Sequence, residues 1–456
     1  MDGGWKLRAR HGDARRNVVA LLTGLFLVAT SSHLTWAAGR SGRPDPAFGD
    51  RGKVLTDFSG GNFDSVHALA IQSDRKIVAA GQSVPPTSGP SHDFALARYN
   101  FRGRLDRKFG ADGKVLTDFG SGSDVLTALA IQSDGKIVAS GYSFAGGTAD
   151  FALARYNPDG TLDATFNATG KVLTDFSGPG GDFAHALAIQ SDGKILAAGI
   201  SDQSAGNGDF ALARYNPDGT LDSTFNATGK VLTDFSGSGS DDFANWMGLA
   251  IQEDRKIVVA GSSEASGTPD FALARYNPDG TLDSTFNATG KVLTDLSASG
   301  SDDFANALAL QSDGKIVAAG LSIASGNYDF ALARYNPNGT LDATFNATGK
   351  VLTDFTGAGS ADLAYGLAIQ LDGKIVVAGS SFAGGTAYDF ALTRYNLDGI
   401  LDATFNATGK VLTDFSGSGS DDVAYALALQ SDGKIVAGGL STTSTTADFA
   451  LARYLP

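Results

Sequence analysis

From about residue 53 the chain repeats one hydrophobic pattern: short apolar runs of period two, broken by glycine- and aspartate-rich turns. In the copy beginning near residue 127, Thr127–Gln132 (TALAIQ) is a run of small apolar residues, as expected of a strand buried on both faces. Ser133-Asp134-Gly135-Lys136 follows, and Asp-Gly between two β runs predicts a tight hairpin into Ile137–Gly141 (IVASG). After a variable loop, Asp150–Asn157 (DFALARYN) alternates, with Phe151, Leu153 and Arg155 on one face and Ala152, Ala154 and Tyr156 on the other. Asn157-Pro158-Asp159-Gly160 predicts a type I turn, because Pro presets φ at its second position. Lys171–Phe176 (KVLTDF) supplies a fourth strand. No segment of the unit carries a helical period.

The unit recurs seven times. The phenylalanine of its DFALARY segment falls at Phe94, Phe151, Phe210, Phe271, Phe330, Phe390 and Phe449, at intervals of 57, 59, 61, 59, 60 and 59 residues. Four locally connected strands at this period predict an all-β, seven-bladed propeller of 28 strands, and a β-solenoid is the weaker alternative. The chain opens on a lone KVLTDF (Lys53–Phe58) and stops after FALARY, so the first strand is expected to complete the last blade, leaving no open edge. With ALAIQSDGKIVAAG and DFALARYNPDGTLD in view, the units resemble the delta-60 repeat, a repeat of bacterial secreted and surface proteins, from about Asp45 to the end. The resemblance implies a propeller and export, and no common activity.

Composition narrows the function classes. The chain has no cysteine, which removes disulfides, thiolate metal sites and cysteine nucleophiles together. Residues 1–39 read as a signal peptide, with Arg15-Arg16 before the apolar run Val18–Ala29 and Ala37-Ala38-Gly39 after it, so a secreted, periplasmic or cell-surface location is expected, with no membrane span after its removal. Residues 40–52 read as a lead-in and 53–456 as the propeller. Removing the signal leaves 30 basic against 47 acidic residues, a net charge of −17. That surface repels phosphate backbones, so nucleic acid is not an expected partner, and the protein is expected to be a monomer.

Comparison of the copies separates two faces. The ALAIQ–KIVAAG turns and the FALARY–KVLTDF connections are nearly identical, whereas the KIVAAG–FALARY loops and the stretches before ALAIQ differ. By up-and-down topology each pair shares a face, and the individualised face is the expected binding face. Just before the innermost strand the copies carry His67, Thr127, His185, Met247, Asn306, Tyr365 and Tyr425, and the fourth adds Trp246 within a two-residue insertion. These eight residues are the candidate binding site, a polar and aromatic ring at the channel mouth suited to a glycan, a small molecule or a protein. The competing explanation is that they cap strand ends.

No cofactor is required by this pattern. Calcium is the one metal it suggests, through Asn157-x-Asp159-x-Thr161-x-Asp163 and the pairs Asp241-Asp242, Asp302-Asp303 and Asp421-Asp422, although turn capping explains the same spacing. Arg155 is expected to pair with Asp175 across the third and fourth strands. The Asn-Ala-Thr sequons at Asn167, Asn226, Asn287, Asn346 and Asn406 read as repeat copies. Catalytic motifs are absent, and beyond the signal only His67, His92 and His185 offer imidazole bases. A binding or scaffold module is the reading favoured, with an Asp-dependent, metal-assisted carbohydrate or lactone hydrolase as the alternative and no catalytic residue assigned.

Overall fold

A computed structural model describes residues 41–456 apart from 59, 61–62, 86–90, 177–179, 205–206, 237–240, 298–299, 325, 358, 383–386, 418 and 443–445; residues 203–204, 207, 243–246 and 324 are described in backbone only. The signal call at 1–39 lies outside the described residues. Twenty-eight strands, numbered β1 to β28 in chain order, form seven four-stranded antiparallel sheets. Blade 1 is β2 (Asp64–Ile71), β3 (Ile77–Ser83), β4 (Asp93–Tyr99) and β5 (Lys114–Thr117), ordered from the inside outward. Blade 7 is β26 (Asp422–Leu429), β27 (Ile435–Thr442), β28 (Ala447–Tyr454) and, outermost, β1 (Lys53–Thr56). The predicted closure is therefore present, with Lys53 opposite Ala452 and Thr56 opposite Phe449.

The hydrophobic core is divided among the blade interfaces. Ala152, Ala154 and Tyr156 pack with Val78, Phe94 and Leu96 of the preceding blade, while Phe151 and Leu153 pack with Ile195, Ala197 and Tyr215 of the following one. This is the period-two alternation of FALARY turned to two different neighbours. Each FALARY tyrosine hydroxyl also meets a threonine of the preceding blade's outer strand, from Tyr99 to Thr56 at 2.8 Å round to Tyr454 and Thr413 at 2.9 Å.

Two sequence expectations change. Arg155 does not pair with Asp175: the register sets Phe151 opposite Thr174 and Ala154 opposite Lys171, which puts Asp175 at the far end of the strand. Its partner is Asp163, with Nε donating to Oδ2 at 2.7 Å, while Nη1 donates to the Pro217 carbonyl of the next blade's turn and the guanidinium stacks on Phe166. The supposed lead-in belongs to the propeller as well. Asp45 accepts from Arg453 Nε at 3.0 Å and Phe48 stacks beneath that guanidinium, as Asp163 and Phe166 do with Arg155. Residues 41–52 thus supply blade 7 with the connection that the end of the chain lacks.

Candidate functional site

The seven candidate positions lie inside the innermost strands, three residues or more from their starts, and not before them as the sequence suggested, and six share one backbone feature that sequence reasoning missed. In six copies the pairing register of the innermost strand slips by one residue, and the extra residue of the bulge is His67, Thr127, His185, Asn306, Tyr365 or Tyr425. Opposite each bulge stands the last glycine of KIVAAG. A Cβ on Gly141 would lie 1.9 Å from the Val125 carbonyl oxygen, and Gly81, Gly199, Gly320, Gly379 and Gly439 meet the same obstacle. A glycine kept at one mid-strand position in every copy is the signal that would have revealed the bulge. In the fourth copy the insertion widens the irregularity to Phe243–Gly248.

The bulge turns these side chains toward the next blade. His67 Nδ1–H donates to the Leu126 carbonyl at 2.9 Å, Thr127 Oγ1 to Ala184 at 2.8 Å, and Asn306 Nδ2 to Ala364 at 2.8 Å. Each acceptor precedes the bulge residue of the adjoining blade. Thr127, Asn306 and Met247 are buried, and Met247 packs in the interface core between blades 3 and 4. At Thr127, Asn306 and Met247 the side chains join one blade to the next, by hydrogen bonds in the first two and by apolar packing in the third. The Trp246 side chain lies outside the described residues.

The remaining four are partly exposed along the innermost strands. Tyr365, Tyr425 and His67, from blades 6, 7 and 1, form a continuous arc with ring centroids 5.1 and 5.5 Å apart. Burial pushes the Tyr425 hydroxyl up to about 12 and the His67 imidazole down to about 4, the Leu126 hydrogen bond opposing the latter. His185 adjoins a second aromatic group, Tyr142, Phe144 and Phe183, and neither of its ring nitrogens has a hydrogen-bond partner. Burial, then the neighbouring charge of His67, pushes it down to about 4. Both imidazoles are therefore neutral at pH 7.

A broad concavity lies on the opposite, uniform face. A cavity of about 970 Å³ spans blades 4 to 6, with Ile251, Leu310 and Ile369 at its base and Gln252, Gln311 and Gln370 beside them. Blade 6 breaks the uniformity here: Leu371, Leu397 and Ile400 stand where most copies have Ser, Pro and Thr, and all three are exposed, Leu371 fully. Leu371 and Leu397 line the cavity.

The acidic motifs sort into two kinds. In the NPDGTLD turns both calcium candidates are consumed locally. Asp159 Oδ1 accepts from the Thr161 N–H and hydroxyl at 3.0 and 2.7 Å, while Asp163 takes Thr165 through Oδ1, and Arg155 and Lys136 through Oδ2. Burial pushes the Asp163 carboxyl up, but Thr165, Lys136 and Arg155 outweigh it and hold the group well below the carboxylate range. The second kind was not foreseen as a set. Asp93, Asp118 and Asp124 come from the start of the third strand, the end of the outer strand and the start of the next blade's innermost strand; one oxygen from each lies within 4.8 Å of the others. The same triad recurs at every blade interface, taking in Asp242, Asp303 and Asp422 but not their preceding partners Asp241, Asp302 and Asp421.

Fold and repeat together define a closed seven-bladed β-propeller with acidic triads at its blade interfaces. The chain belongs to the family described as domain of unknown function (DUF5122) beta-propeller, which matches residues 72–109, 132–166, 190–225, 252–286, 311–345, 370–405 and 430–456, more than half of the chain. No curated protein matches it. Among solved structures it is similar to an ulvan lyase of polysaccharide lyase family PL25 (12% identity, 87% of this chain and 94% of that one, TM-score 0.45). It is also similar to an α-L-arabinanase of Penicillium chrysogenum (12%, 71% and 91%, 0.42) and to a gluconolactonase of Xanthomonas campestris (12%, 75% and 88%, 0.33). No residue role passes across likenesses of this degree.

Proposed function

We propose that this protein is an exported binding module that receives a sugar ring or another flat ligand at the individualised end of its axial channel, without chemistry. The observation that supports this is the Tyr365–Tyr425–His67 arc: three partly exposed rings on the innermost strands of three successive blades lie tilted or edge against face, with centroids 5.1 and 5.5 Å apart. Aromatic faces in a concave site stack on sugar rings, and few polar groups are needed to orient them. The delta-60 likeness of the repeats fits export and adds no activity. For the alternative, an Asp-dependent hydrolase, the carboxylates of the described residues gather in like sets between blades, so the repeat itself favours no one pair as acid and base.

A second reading rests on blade 6, whose exposed Leu371, Leu397 and Ile400 suit an apolar segment of a protein partner. Glycan-array and calorimetric binding by the mature protein separates the two. Binding lost in Tyr365→Ala/Tyr425→Ala and kept in Leu371→Ser/Leu397→Pro/Ile400→Thr, which restores the residues of the other copies, supports the channel. The reverse result, or no ligand at all for the intact protein, overturns it.

A further inference from the structure

Each interface triad is built around a buried carboxylate. Asp64, Asp124, Asp242, Asp362 and Asp422 are 0% exposed. In each, Oδ2 accepts one backbone N–H from the residue after the outer-strand aspartate, as Phe58 N–H to Asp64 at 2.7 Å and Phe119 N–H to Asp124 at 2.6 Å. The companion oxygen Oδ1 makes no well-formed hydrogen bond in any of the five, although a serine hydroxyl beside each carboxylate, such as Ser83 for Asp64 and Ser143 for Asp124, favours its charged form. Among the described residues no lysine or arginine forms a salt bridge with these aspartates, whereas the buried Asp163 and Asp222 of the uniform face each pair with one of each. The hydroxyls of Ser83, Ser381 and Ser441, opposite Asp64, Asp362 and Asp422 in the register, are buried beside those carboxylates without a well-formed hydrogen bond of their own.

A buried ionised oxygen beside two further carboxylates is unfavourable unless a positive charge joins them. We propose that the seven triads are calcium sites, each cation bridging the third and outer strands of one blade to the innermost strand of the next. Ca²⁺ takes oxygen ligands at about 2.3–2.6 Å, so two ligands on opposite sides of one ion stand roughly 4.6–5.2 Å apart. Three oxygens mutually within 4.8 Å satisfy that span. Ca²⁺ fills six to eight positions from carboxylates, hydroxyls, carbonyls and water, which suits a site that draws on loops; Mg²⁺ demands a tighter octahedron and gives up its water reluctantly. The outer-strand aspartate is already held in place. Asp118 Oδ1 accepts the Gly120 N–H at 2.7 Å, and Lys171 Nζ, from the next blade's outer strand, donates to the Asp118 carbonyl at 2.9 Å.

The test uses the mature full chain, stripped with EDTA and dialysed. Calorimetric titration with CaCl₂ is expected to show saturable uptake of up to seven equivalents, with a rise in the thermal midpoint that MgCl₂ at equal concentration does not reproduce. Asp124→Asn, which keeps the acceptor for Phe119, and the more exposed Asp118→Asn each lower the uptake by one equivalent without unfolding the protein. Absence of saturable uptake overturns the proposal, as does uptake that neither variant reduces. A calcium-independent gain in stability in both variants overturns it too, since the triads would then be unrelieved like-charge clusters.

Discussion

At the residue scale, one position carries two requirements. The bulge needs glycine opposite it, because any Cβ would strike a backbone carbonyl, and it needs a side chain that can reach the adjoining blade. Gly141→Ala should therefore be among the costliest one-carbon changes in the chain. A loss of about 2–4 kcal/mol is expected from the forced backbone shift, read from urea unfolding, against a near-neutral Ala at Gly146, an exposed loop glycine outside the left-handed region. His67 offers a subtler test. Burial lowers its folded pKa to about 4, so the unfolded chain binds the proton more readily, and stability from this group is complete above about pH 6.5 and lost as pH falls toward 4. Aspartates such as Asp303, which burial pushes up to about 6, work in the opposite direction over the same window. The contribution of His67 is isolated by His67→Asn, because Asn306 makes the same hydrogen bond at the same position. Stability at pH 7 should stay within about 1 kcal/mol, and the acid loss between pH 6.5 and 4 should become smaller. An unchanged acid profile would remove the imidazole from the account.

At the scale of elements, the sameness of one face has a mechanical cause. The turn after FALARY docks on the neighbouring blade: Asn167 N–H donates to the Asp218 carbonyl at 2.7 Å, Arg155 clamps Pro217, and the Asn167 amide caps Lys171 at 2.9 Å. Each copy is thus both lock and key for the next, and a change in one must be matched in two. The sequons at Asn167 and its equivalents are part of this docking. The individualised loops also meet the next blade, but largely through backbone, as where the Asp124 N–H donates to the His92 carbonyl at 2.7 Å and the Asp182 N–H to Ala149 at 2.7 Å, contacts that do not specify the side chain. Strand order, hairpins and blade phase were legible because they depend on local alternation and turn residues. The bulges and the Arg155–Asp163 pair were not, since they depend on register, which local alternation leaves undetermined by one or more residues.

At the scale of the whole molecule, closure is the vulnerable step. The first strand is not adjacent in sequence to the blade it completes, and residues 41–56 bring Phe48, Asp45 and Thr56 to blade 7 and to its contact with blade 1. A chain beginning at residue 57 would leave β28 as an open edge and Tyr99 without its hydroxyl partner. Loss of the buried Phe48 ring alone is worth about 3–5 kcal/mol. A lower thermal midpoint and concentration-dependent scattering are expected of that truncation. Full stability in it would mean that the ring closes without its clasp.

The sequence by itself determined the number of blades, the four strands of each and the closure by the N-terminal strand, because those follow from a period, an alternation and a phase that are all written locally. Tertiary structure alone decided which residues meet across a blade interface. Asp93, Asp118 and Asp124 are separated along the chain, and each resembles an ordinary turn aspartate in isolation. Only the packing of one blade's inner strand against its neighbour's outer strands brings their charges together, and only burial there leaves an oxygen without a well-formed hydrogen bond.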